Sequence, residues 1–431
     1  MNILFLTDQP FIKAGNQVTY QALRMFASHN DKVLILRPKD LVFNNNALYD
    51  PSEVFKNNVF IYEFVNNFES FSKLFRKTLK KEKPLINLPE SNQIKGFEGT
   101  RSNPFLSDLR FFIQNLFIFY LGKKIIKKNN IDLIFSLEIG VSSGAHRLAK
   151  KYKLPCVSKY MGSIVFPYLK NNMHSYVKTY VKAYKEASIL HFMLNDGTRG
   201  DEIFDLIGAD TSRLKFRIDA VDINKFEVAE SKEDAIRKLF DNKIEKKDVI
   251  FLTLSNHNAQ YKRIDRIIRG FHACNLKNAK LLICGNGLFT PSYKELAKGN
   301  EDIIFLEKIS HEKIPLLFKA IDVYVNCNDQ SNLSHTTLEA MAAGKLVLTM
   351  HDESIKGILT HEKNALLIGL DNIHYNIINQ INHIYQNQNL IQSLGEEAKN
   401  FAIENFMTWE EKNLIEYKEI MQAMKEYEKR K

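Results

Sequence analysis

Residues 326–345, which read NCNDQSNLSHTTLEAMAAGK, decide the fold. They begin at the end of an apolar run, Val323–Asn326, which has the length and composition of a strand buried on both faces. A polar loop follows, and Ser334 is a suitable N-cap for a helix predicted over Thr336–Ala343. A strand that leads through a loop into a helix is the repeating unit of a parallel α/β sheet.

The same alternation of strand and helix runs along the chain in two series, separated by a charged stretch at Glu227–Lys247. The first series of predicted strands is Asn2–Thr7, Lys32–Leu36, Val59–Phe64, Leu133–Leu137, Cys156–Lys159 and Leu190–Leu194. The second series is Val249–Leu254, Leu281–Cys284, Ile303–Leu306, Val323–Asn326 and Leu346–Thr349. Two parallel α/β units of about 200 residues each therefore fit better than one very large sheet.

We place the first domain at residues 1–225 and the second at 226–405. An amphipathic helix, Trp409–Tyr427, lies in the remaining segment 406–431. Residues 65–104 fit neither series, and we interpret them as a basic insertion with a helix and a long loop.

The positive charge of the chain is concentrated in its first half. The 431 residues carry a net charge of +10. Residues 1–200 hold 29 Lys and Arg against 15 Asp and Glu, a balance of +14, and residues 201–431 hold 31 against 35, a balance of −4. This asymmetry indicates an anionic partner for the first half only.

Several classes of protein are disfavoured by the composition. No apolar run reaches the ~18 residues of a membrane span, and the N-terminus has no pattern of a signal peptide. The four cysteines show no CxxC spacing, which is typical of free thiols in a reducing compartment. The histidines form no HxxxH or HxH pair, so we expect no metal site, and no nucleic-acid recognition motif accompanies the charge.

Candidate ligand-binding residues follow the strands of the second series. Lys262 comes after Val249–Leu254, where an open α/β sheet binds ligands and a lysine can meet a phosphate. Cys284-Gly-Asn-Gly287 lets a ligand approach the backbone closely. The helix after Ser334 points free amides at an anion such as a diphosphate, and Glu339 can accept hydrogen bonds from sugar hydroxyls. Taken singly, each feature also fits an ordinary solvated loop or helix end.

The loop after the first strand, residues 8–16, reads DQPFIKAGN and lacks the GxGxxG pattern. In an NAD or FAD enzyme, the glycines of this pattern let the pyrophosphate reach the start of the helix. Their absence therefore argues against an NAD or FAD enzyme. Gly15 still permits a turn before the next helix.

These segments together resemble the GT-B glycosyltransferases of family 4, also called group 1 glycosyltransferases. The resemblance is strongest over Leu252–Met350 and spans nearly the whole chain. The segments that carry it, in family order, are Asp219-Ala-Val-Asp222 with Phe226, Lys262, Cys284-Gly-Asn-Gly287, Leu338-Glu-Ala-Met-Ala-Ala-Gly344 and Phe406-Met-Thr-Trp409.

The resemblance implies two Rossmann-like domains facing across a cleft, with the last helix crossing back to the first domain. It implies retaining, metal-independent sugar transfer, of the hexosyl or N-acetylhexosaminyl type, from a UDP- or GDP-linked donor and without a cofactor. The acceptor would be a glycan or a lipid-linked molecule of cell-surface polysaccharide or glycolipid synthesis. The donor would lie in the second domain and the acceptor mainly in the first.

The resemblance also implies roles for individual residues. Lys262 and the amides near Ser334–Thr336 would stabilise the leaving diphosphate, and Glu339 would hold the donor ribose. His335 falls within that helix start. The other residues expected to line the donor are His257, Gly285, Gly287 and Ser331. Those expected to shape the acceptor side of the cleft are Gly15, Asn16, Met161 and Gly162.

Three positions depart from the family pattern. The first Glu of the family's EX7E pair is Ser331, the basic residue five before Lys262 is His257, and the first-domain His-Gly is Met161-Gly162. Ser331 and Met161 therefore indicate either a different donor sugar or a GT-B subunit that has lost catalysis and supports another glycosyltransferase. His257 can still donate to a phosphate, and more strongly when it is protonated.

The basic first half has two alternative interpretations. Lys123–Lys128 follows the aromatic run Phe111–Tyr120, and basic groups beside aromatics can dock on an anionic bilayer. The alternative is a core helix with a solvated basic end. We expect a cytoplasmic protein, with peripheral contact to the inner face of the cell membrane under the first interpretation.

Overall fold

The computed structural model describes residues 1–9, 17–39, 51, 55, 58–64, 104–162, 178–197, 199–240, 244–307 and 309–431. The predicted acceptor-side residues Gly15 and Asn16, and nearly all of the predicted insertion at 65–104, lie outside these ranges.

The first sheet is parallel throughout. Its strands are β1 (Asn2–Thr7), β2 (Lys32–Pro38), β3 (Val59–Phe64), β4 (Leu133–Leu137), β5 (Cys156–Tyr160), β6 (Leu190–Leu194) and β7 (Leu214–Arg217). Their order in the sheet is β3-β2-β1-β4-β5-β6-β7. Ile3 and Phe5 pack into one hydrophobic cluster and Leu4 and Leu6 into another, so β1 is buried on both faces. This double burial explains why the strand reads as a continuous apolar run.

Helices cover both faces of this sheet. They are α1 (Gln17–Ala27), α2 (Pro104–Lys128), α3 (Ile139–Tyr152), α4 (Lys178–Lys185) and α5 (Gly200–Leu206). The side-chain amides of Gln114 and Asn115 on α2 donate to the carbonyl of Gly140, each at 3.0 Å, which fixes α2 against the start of α3.

The second sheet is also parallel. Its strands are β8 (Val249–Leu254), β9 (Ala279–Cys284), β10 (Ile303–Leu306), β11 (Val323–Asn326), β12 (Leu346–Met350) and β13 (Leu366–Ile368). They are arranged in the order β10-β9-β8-β11-β12-β13. Successive strands are added on one side of β8 as far as β10 and then on its other side from β11 onward. Parallel sheets bind ligands at the carboxyl ends of the strands at such a switch point.

The helices of the second domain begin with α6, which precedes β8, and the others come after strands of the sheet. They are α6 (Lys232–Phe240), α7 (Ile264–Cys274), α8 (Thr290–Leu296), α9 (Ile314–Ala320), α10 (His335–Ala342), α11 (Ile373–Gln386) and α12 (Asn389–Asn405). The predicted helix at Thr336–Ala343 is thus found one residue earlier, as α10.

The last helix, α13 (Trp409–Lys429), crosses back to the first domain as the GT-B resemblance implies. Thr408 caps it in a capping box with Glu411. Trp409, Ile420 and Met424 are buried in the same cluster as Phe5 of the first sheet. The α/β class and the two-sheet GT-B arrangement predicted from the sequence are therefore confirmed.

Candidate functional site

Three neighbouring strands of the second sheet end at the same edge, and the candidate donor residues follow them. Lys262 follows β8, Gly285 and Gly287 follow β9, and Ser334 follows β11. Because β9, β8 and β11 are adjacent, their loops share one crevice. The structure therefore brings the sequence-predicted donor residues to one place.

Lys262 ends a short 3-10 turn, Gln260–Lys262, and Arg263 then takes the left-handed conformation with φ 44° before α7 begins. The carbonyl of Tyr261 accepts a hydrogen bond from the amide of Asp329 at 2.8 Å, which ties this turn to the loop after β11. Burial lowers the pKa of Lys262 to about 8, and the negative charge of Asp196 acts in the opposite direction. A desolvated ammonium at this position interacts strongly with a phosphate.

The glycine turn after β9 packs against the loop after β8. Gly285 has φ 130°, and a Cβ atom there would lie 1.9 Å from the carbonyl oxygen of Ser255. A Cβ atom at Gly287 would lie 2.6 Å from Asn258 Oδ1. Only glycine fits at these two positions, because a side chain there would collide with the loop after β8.

His257 lies beneath this turn. Its Nδ1 is 2.8 Å from the hydroxyl oxygen of Thr290, and its side chain is fully buried. Burial lowers the pKa of His257 to about 4, so the ring is neutral near pH 7. The stronger, protonated interaction with phosphate that the sequence allowed is thus not available near neutral pH. A neutral ring can still donate from one nitrogen.

Helix α10 starts as predicted. The Ser334 hydroxyl accepts a hydrogen bond from the amide of Thr337 at 3.2 Å, which makes Ser334 the N-cap. The amides of His335 and Thr336 belong to the first turn, where the positive end of the helix dipole lies. The start of α10 is thus built to meet an anion at the edge that also carries Lys262.

Glu339 is itself buried and belongs to a cluster of charged groups at the start of α10. Its Oε1 lies 3.5 Å from His335 Nε2 and 3.7 Å from His311 Nε2, and His335 Nδ1 lies 3.4 Å from Asp219 Oδ2. Burial alone would lower the pKa of His335, but Glu339 and Asp219 outweigh it and raise the pKa to about 10. Burial alone would raise the pKa of Asp219, but Lys412 and His335 hold it well below its usual range. His335 is therefore a cation that fixes Glu339.

The sequence did not reveal the roles of Asp219, His311 and Lys412 in this cluster. One signal was available for Asp219, since an acidic residue stands there where the NGVD segment of the family has Asn.

On the first domain, Met161 and Gly162 follow β5 at the edge facing the cleft. The amide of Met161 donates to Glu138 Oε1 at 2.6 Å, and Glu138 itself has φ 80°. Burial, reinforced by the charges of Asp8 and Asp196, raises the pKa of Glu138 to about 8. These three carboxylates were not predicted as site residues. Their signal was their position at the carboxyl ends of β1, β4 and β6, where open α/β sheets bind ligands.

Ser331 does not face Glu339 but the first domain. Its hydroxyl donates to the backbone carbonyl of Asp196 at 2.8 Å, and its oxygen lies 3.3 Å from Asp196 Oδ2. Ser331 has φ 60°, a left-handed conformation that turns its side chain across the cleft.

No group of three or more His, Cys, Asp or Glu side chains suited to a metal ion occurs in the described parts of the chain. In the same parts, no helix combines the length and apolar composition that crossing a membrane requires.

Known structures share this architecture. Sucrose-phosphate synthase from Thermosynechococcus elongatus superposes with a TM-score of 0.69 at 14% identity and covers 98% of both chains. Anabaena HepE in complex with UDP and glucose superposes with a TM-score of 0.67 at 15% identity, over 98% of this chain and 100% of that one. At such identities the likeness establishes the fold, and it defines a GT-B protein.

Two sequence comparisons match parts of this chain. Residues 234–401 match the model of the glycosyl transferases group 1 family. An uncharacterized glycosyltransferase of Methanocaldococcus jannaschii is 31% identical over 211 residues, 47% of this chain and 51% of that one. The chain thus spans about half the length of that relative. Residues 234–401 of the second domain thus match the group 1 family that the sequence indicated, and the assignment of the chain to family 4 stays a prediction.

Proposed function

We propose that the protein is a retaining, metal-independent glycosyltransferase. It moves a hexose or N-acetylhexosamine from a UDP- or GDP-linked donor to a glycan or lipid-linked acceptor, in cell-surface polysaccharide or glycolipid synthesis. The observation that carries the proposal is the shared edge of β8, β9 and β11. There Lys262, the glycine turn at Gly285 and the start of α10 all face one crevice.

These groups suit the chemistry of sugar transfer. As the bond from the anomeric carbon to the donor oxygen breaks, the sugar becomes oxocarbenium-like and negative charge grows on the leaving diphosphate. Lys262 and the first-turn amides of α10 stabilise that charge in a partly desolvated site. Glu339, fixed by His335, accepts hydrogen bonds from the ribose hydroxyls. The proton of the acceptor hydroxyl passes to the leaving diphosphate.

The comparisons support this proposal in two ways. The group 1 family match covers residues 234–401, which include every proposed donor-binding residue. HepE, whose fold is similar, has been solved in complex with UDP.

The proposal is tested with the purified full chain and radiolabelled UDP- and GDP-sugars. We expect slow hydrolysis of at least one donor. Its rate should be unchanged by EDTA, since no metal ion takes part. The released sugar should have the same anomeric configuration, α or β, as the sugar of the donor. Lys262→Ala should lower the rate at least about 100-fold, the usual loss for one charge-stabilising group. Lys298→Ala, an exposed lysine of the same domain, is the matched control. Absence of both hydrolysis and nucleotide binding contradicts the proposal.

We also propose peripheral contact between the first domain and an anionic membrane. Helix α2 buries one face against the sheet, yet Phe112 and Tyr120 are 59% and 60% exposed. The exposed lysines Lys124 and Lys127 follow them toward the end of the same helix. Exposed aromatics beside basic residues are typical of binding to lipid headgroups.

The membrane proposal is tested by sedimentation with vesicles of phosphatidylglycerol or phosphatidylcholine. The Lys124→Glu/Lys127→Glu variant should lose binding to the anionic vesicles, by about 1 kcal/mol for each lysine removed. A variant with Lys298→Glu and Lys363→Glu carries the same charge change on the second domain and should bind normally. If the two variants bind the anionic vesicles equally well, the lysines of α2 make no contact with the membrane. The aromatic residues of α2 would then serve only in packing.

A further inference from the structure

Asp219 lies in the segment that joins the two domains, between β7 and α6. Its side chain is buried, and each of its carboxylate oxygens has a cationic partner. Oδ1 accepts a hydrogen bond from the ammonium of Lys412 at 2.8 Å, and Oδ2 lies 3.4 Å from His335 Nδ1. Asp219 therefore acts within the protein, and any effect that it has on a ligand passes through one of these partners.

His335 connects Asp219 to Glu339. Its two ring nitrogens meet different carboxylates, since Nδ1 faces Asp219 and Nε2 lies 3.5 Å from Glu339 Oε1. The partner of one nitrogen sets the direction in which the other nitrogen points. The ring also packs beside Trp409, the first residue of α13, with 6.2 Å between the ring centroids. The orientation of His335 is thus set from the domain junction, where Asp219 and Trp409 lie.

The carboxylate of Glu339 is held at one of its two oxygens. His335 Nε2, at 3.5 Å, and His311 Nε2, at 3.7 Å, both approach Oε1. Within the described ranges, no ion pair or hydrogen bond forms at Oε2. One oxygen is therefore anchored by imidazole, and the other has no competing partner when a ligand hydroxyl donates to it.

The anchor depends on the negative charge of Asp219. Burial alone would raise the pKa of Asp219, but Lys412 and His335 keep it well below its usual range, so the carboxylate is ionised. Without that charge, Nδ1 of His335 would lose its partner and the ring would be free to turn away from Glu339. The Glu339 side chain would then have to be ordered each time a ribose bound, which weakens binding.

We propose that Asp219 is a positioning residue for the donor ribose. Through His335 it holds the carboxylate of Glu339 in the direction of the ribose hydroxyls. This inference rests on the proposed function, in which Glu339 accepts hydrogen bonds from the ribose. It gives the segment between the two domains a part in nucleotide recognition, although that segment does not touch the nucleotide.

Three variants and one control test this role. Asp219→Asn removes the charge, and His335→Leu removes the connecting ring. Because Asp219→Asn also leaves the buried Lys412 without its carboxylate, it lowers stability as well. The double variant Lys412→Met/Asp219→Asn removes both charges and restores much of that stability, yet it still leaves His335 without its partner. Asp222→Asn is the matched control, because Asp222 lies in the same segment and accepts the amide of Trp409 at 3.1 Å.

The measured quantity is the ratio of the affinities for a ribonucleotide and for its 2′-deoxy form. Titration calorimetry gives it for UDP against 2′-deoxy-UDP and for GDP against 2′-deoxy-GDP, after thermal unfolding has shown that each variant is folded. In the parent protein we expect the better-bound nucleotide to show a ratio of about ten or more, the value of one hydrogen bond to a charged group.

The variants should change this ratio in a specific way. Asp219→Asn and His335→Leu should lower it to about two or less, with little change in the affinity for the 2′-deoxy form. The double variant should regain stability but not the ratio, and Asp222→Asn should keep the ratio of the parent protein. A merely structural role of Asp219 would instead weaken the binding of both forms alike and leave the ratio unchanged.

The remaining outcomes separate this inference from the proposed function. If no nucleotide binds the parent protein, the proposed function itself fails. If the parent protein binds both forms equally, Glu339 does not hold the 2′-hydroxyl and the inference fails with it. If the parent protein distinguishes the two forms and Asp219→Asn does so equally well, the proposed function stands and Asp219 does not position Glu339. Recovery of the ratio in the double variant would assign the effect to lost stability and would also overturn the inference.

Discussion

The ammonium of Lys412 lies 2.8 Å from the carboxylate of Asp219, and both side chains are almost completely buried. Lys412 belongs to the crossing helix α13, and Asp219 belongs to the segment between the two sheets. One turn further along α13, Glu416 pairs with Lys159 of β5 at 2.6 Å. On the other side, Asp219 meets His335 of α10. Charges of alternating sign thus run from the acceptor-side sheet to the helix proposed to hold the donor.

Because this ion pair is buried, removal of either partner alone should strongly destabilise the folded protein. Lys412→Met should lower the free energy of unfolding by about 3–5 kcal/mol, because it leaves the carboxylate of Asp219 buried without its main partner. The variant Lys412→Met/Asp219→Asn should recover much of that loss. Thermal or urea unfolding measures both, with Lys425→Met, an exposed lysine of the same helix, as the control. Equal stability of Lys412→Met and Lys425→Met would contradict a structural role for the pair.

His335 predicts a specific dependence of stability on pH. Its pKa is about 10 in the folded protein and about 6.5 in the unfolded chain, so its stabilisation is complete below pH 6.5 and is lost as the pH rises through 10. His335→Gln should therefore be less stable than the parent protein at pH 6, by at least about 1.4 kcal/mol, the equivalent of one pKa unit. The difference should shrink between pH 7 and 10. Urea unfolding at several pH values measures it, and a constant difference would exclude protonated His335 as the cause.

The strands were predictable where both faces of a strand are buried. Such strands read as apolar runs. All eleven predicted strands are present, and they include the partly exposed edge strands β3 and β10, whose sequences are still largely apolar. The sequence did not predict β7 or β13, which lie at the edges of their sheets. Each residue of β7, Leu214–Arg217, is only partly buried, and β13 has three residues. Neither strand therefore produces a long apolar run.

The candidate site was predictable where it depends on local chain geometry. Lys262, the glycine turn and Ser334 follow strands directly, so their positions follow from the alternation of strands and helices. The contacts between Asp219 and Lys412 and between Asp196 and Ser331 join residues 193 and 135 positions apart. Nothing in the local pattern encodes such pairs, because they arise only when the two domains and the crossing helix have packed together.

Replacement by alanine should destabilise the protein strongly at Gly285, in the glycine turn, and only weakly at Gly299. Gly285→Ala and Gly299→Ala both place alanine at positive φ, which costs about 1–2 kcal/mol. A Cβ atom at Gly299 meets nothing within 4 Å, whereas at Gly285 it meets the carbonyl oxygen of Ser255 at 1.9 Å. Gly285→Ala should therefore be clearly the less stable variant and should bind UDP or GDP more weakly. Thermal unfolding with and without nucleotide separates the two effects, and equal losses at both glycines would argue against close packing at the turn.

The lowered pKa of Lys262 predicts how nucleotide binding depends on pH. Because the pKa is about 8, the ammonium loses its proton as the pH rises through 8, and its attraction for a diphosphate is lost with it. The affinity for UDP or GDP should therefore fall between pH 7 and 9.5, in the range where an ordinary lysine stays charged. Lys262→Arg stays protonated throughout, so its affinity should change little over the same range, even if it is weaker at pH 7. Titration calorimetry at four pH values compares the two proteins. If both lose affinity in parallel, the titrating group is not Lys262.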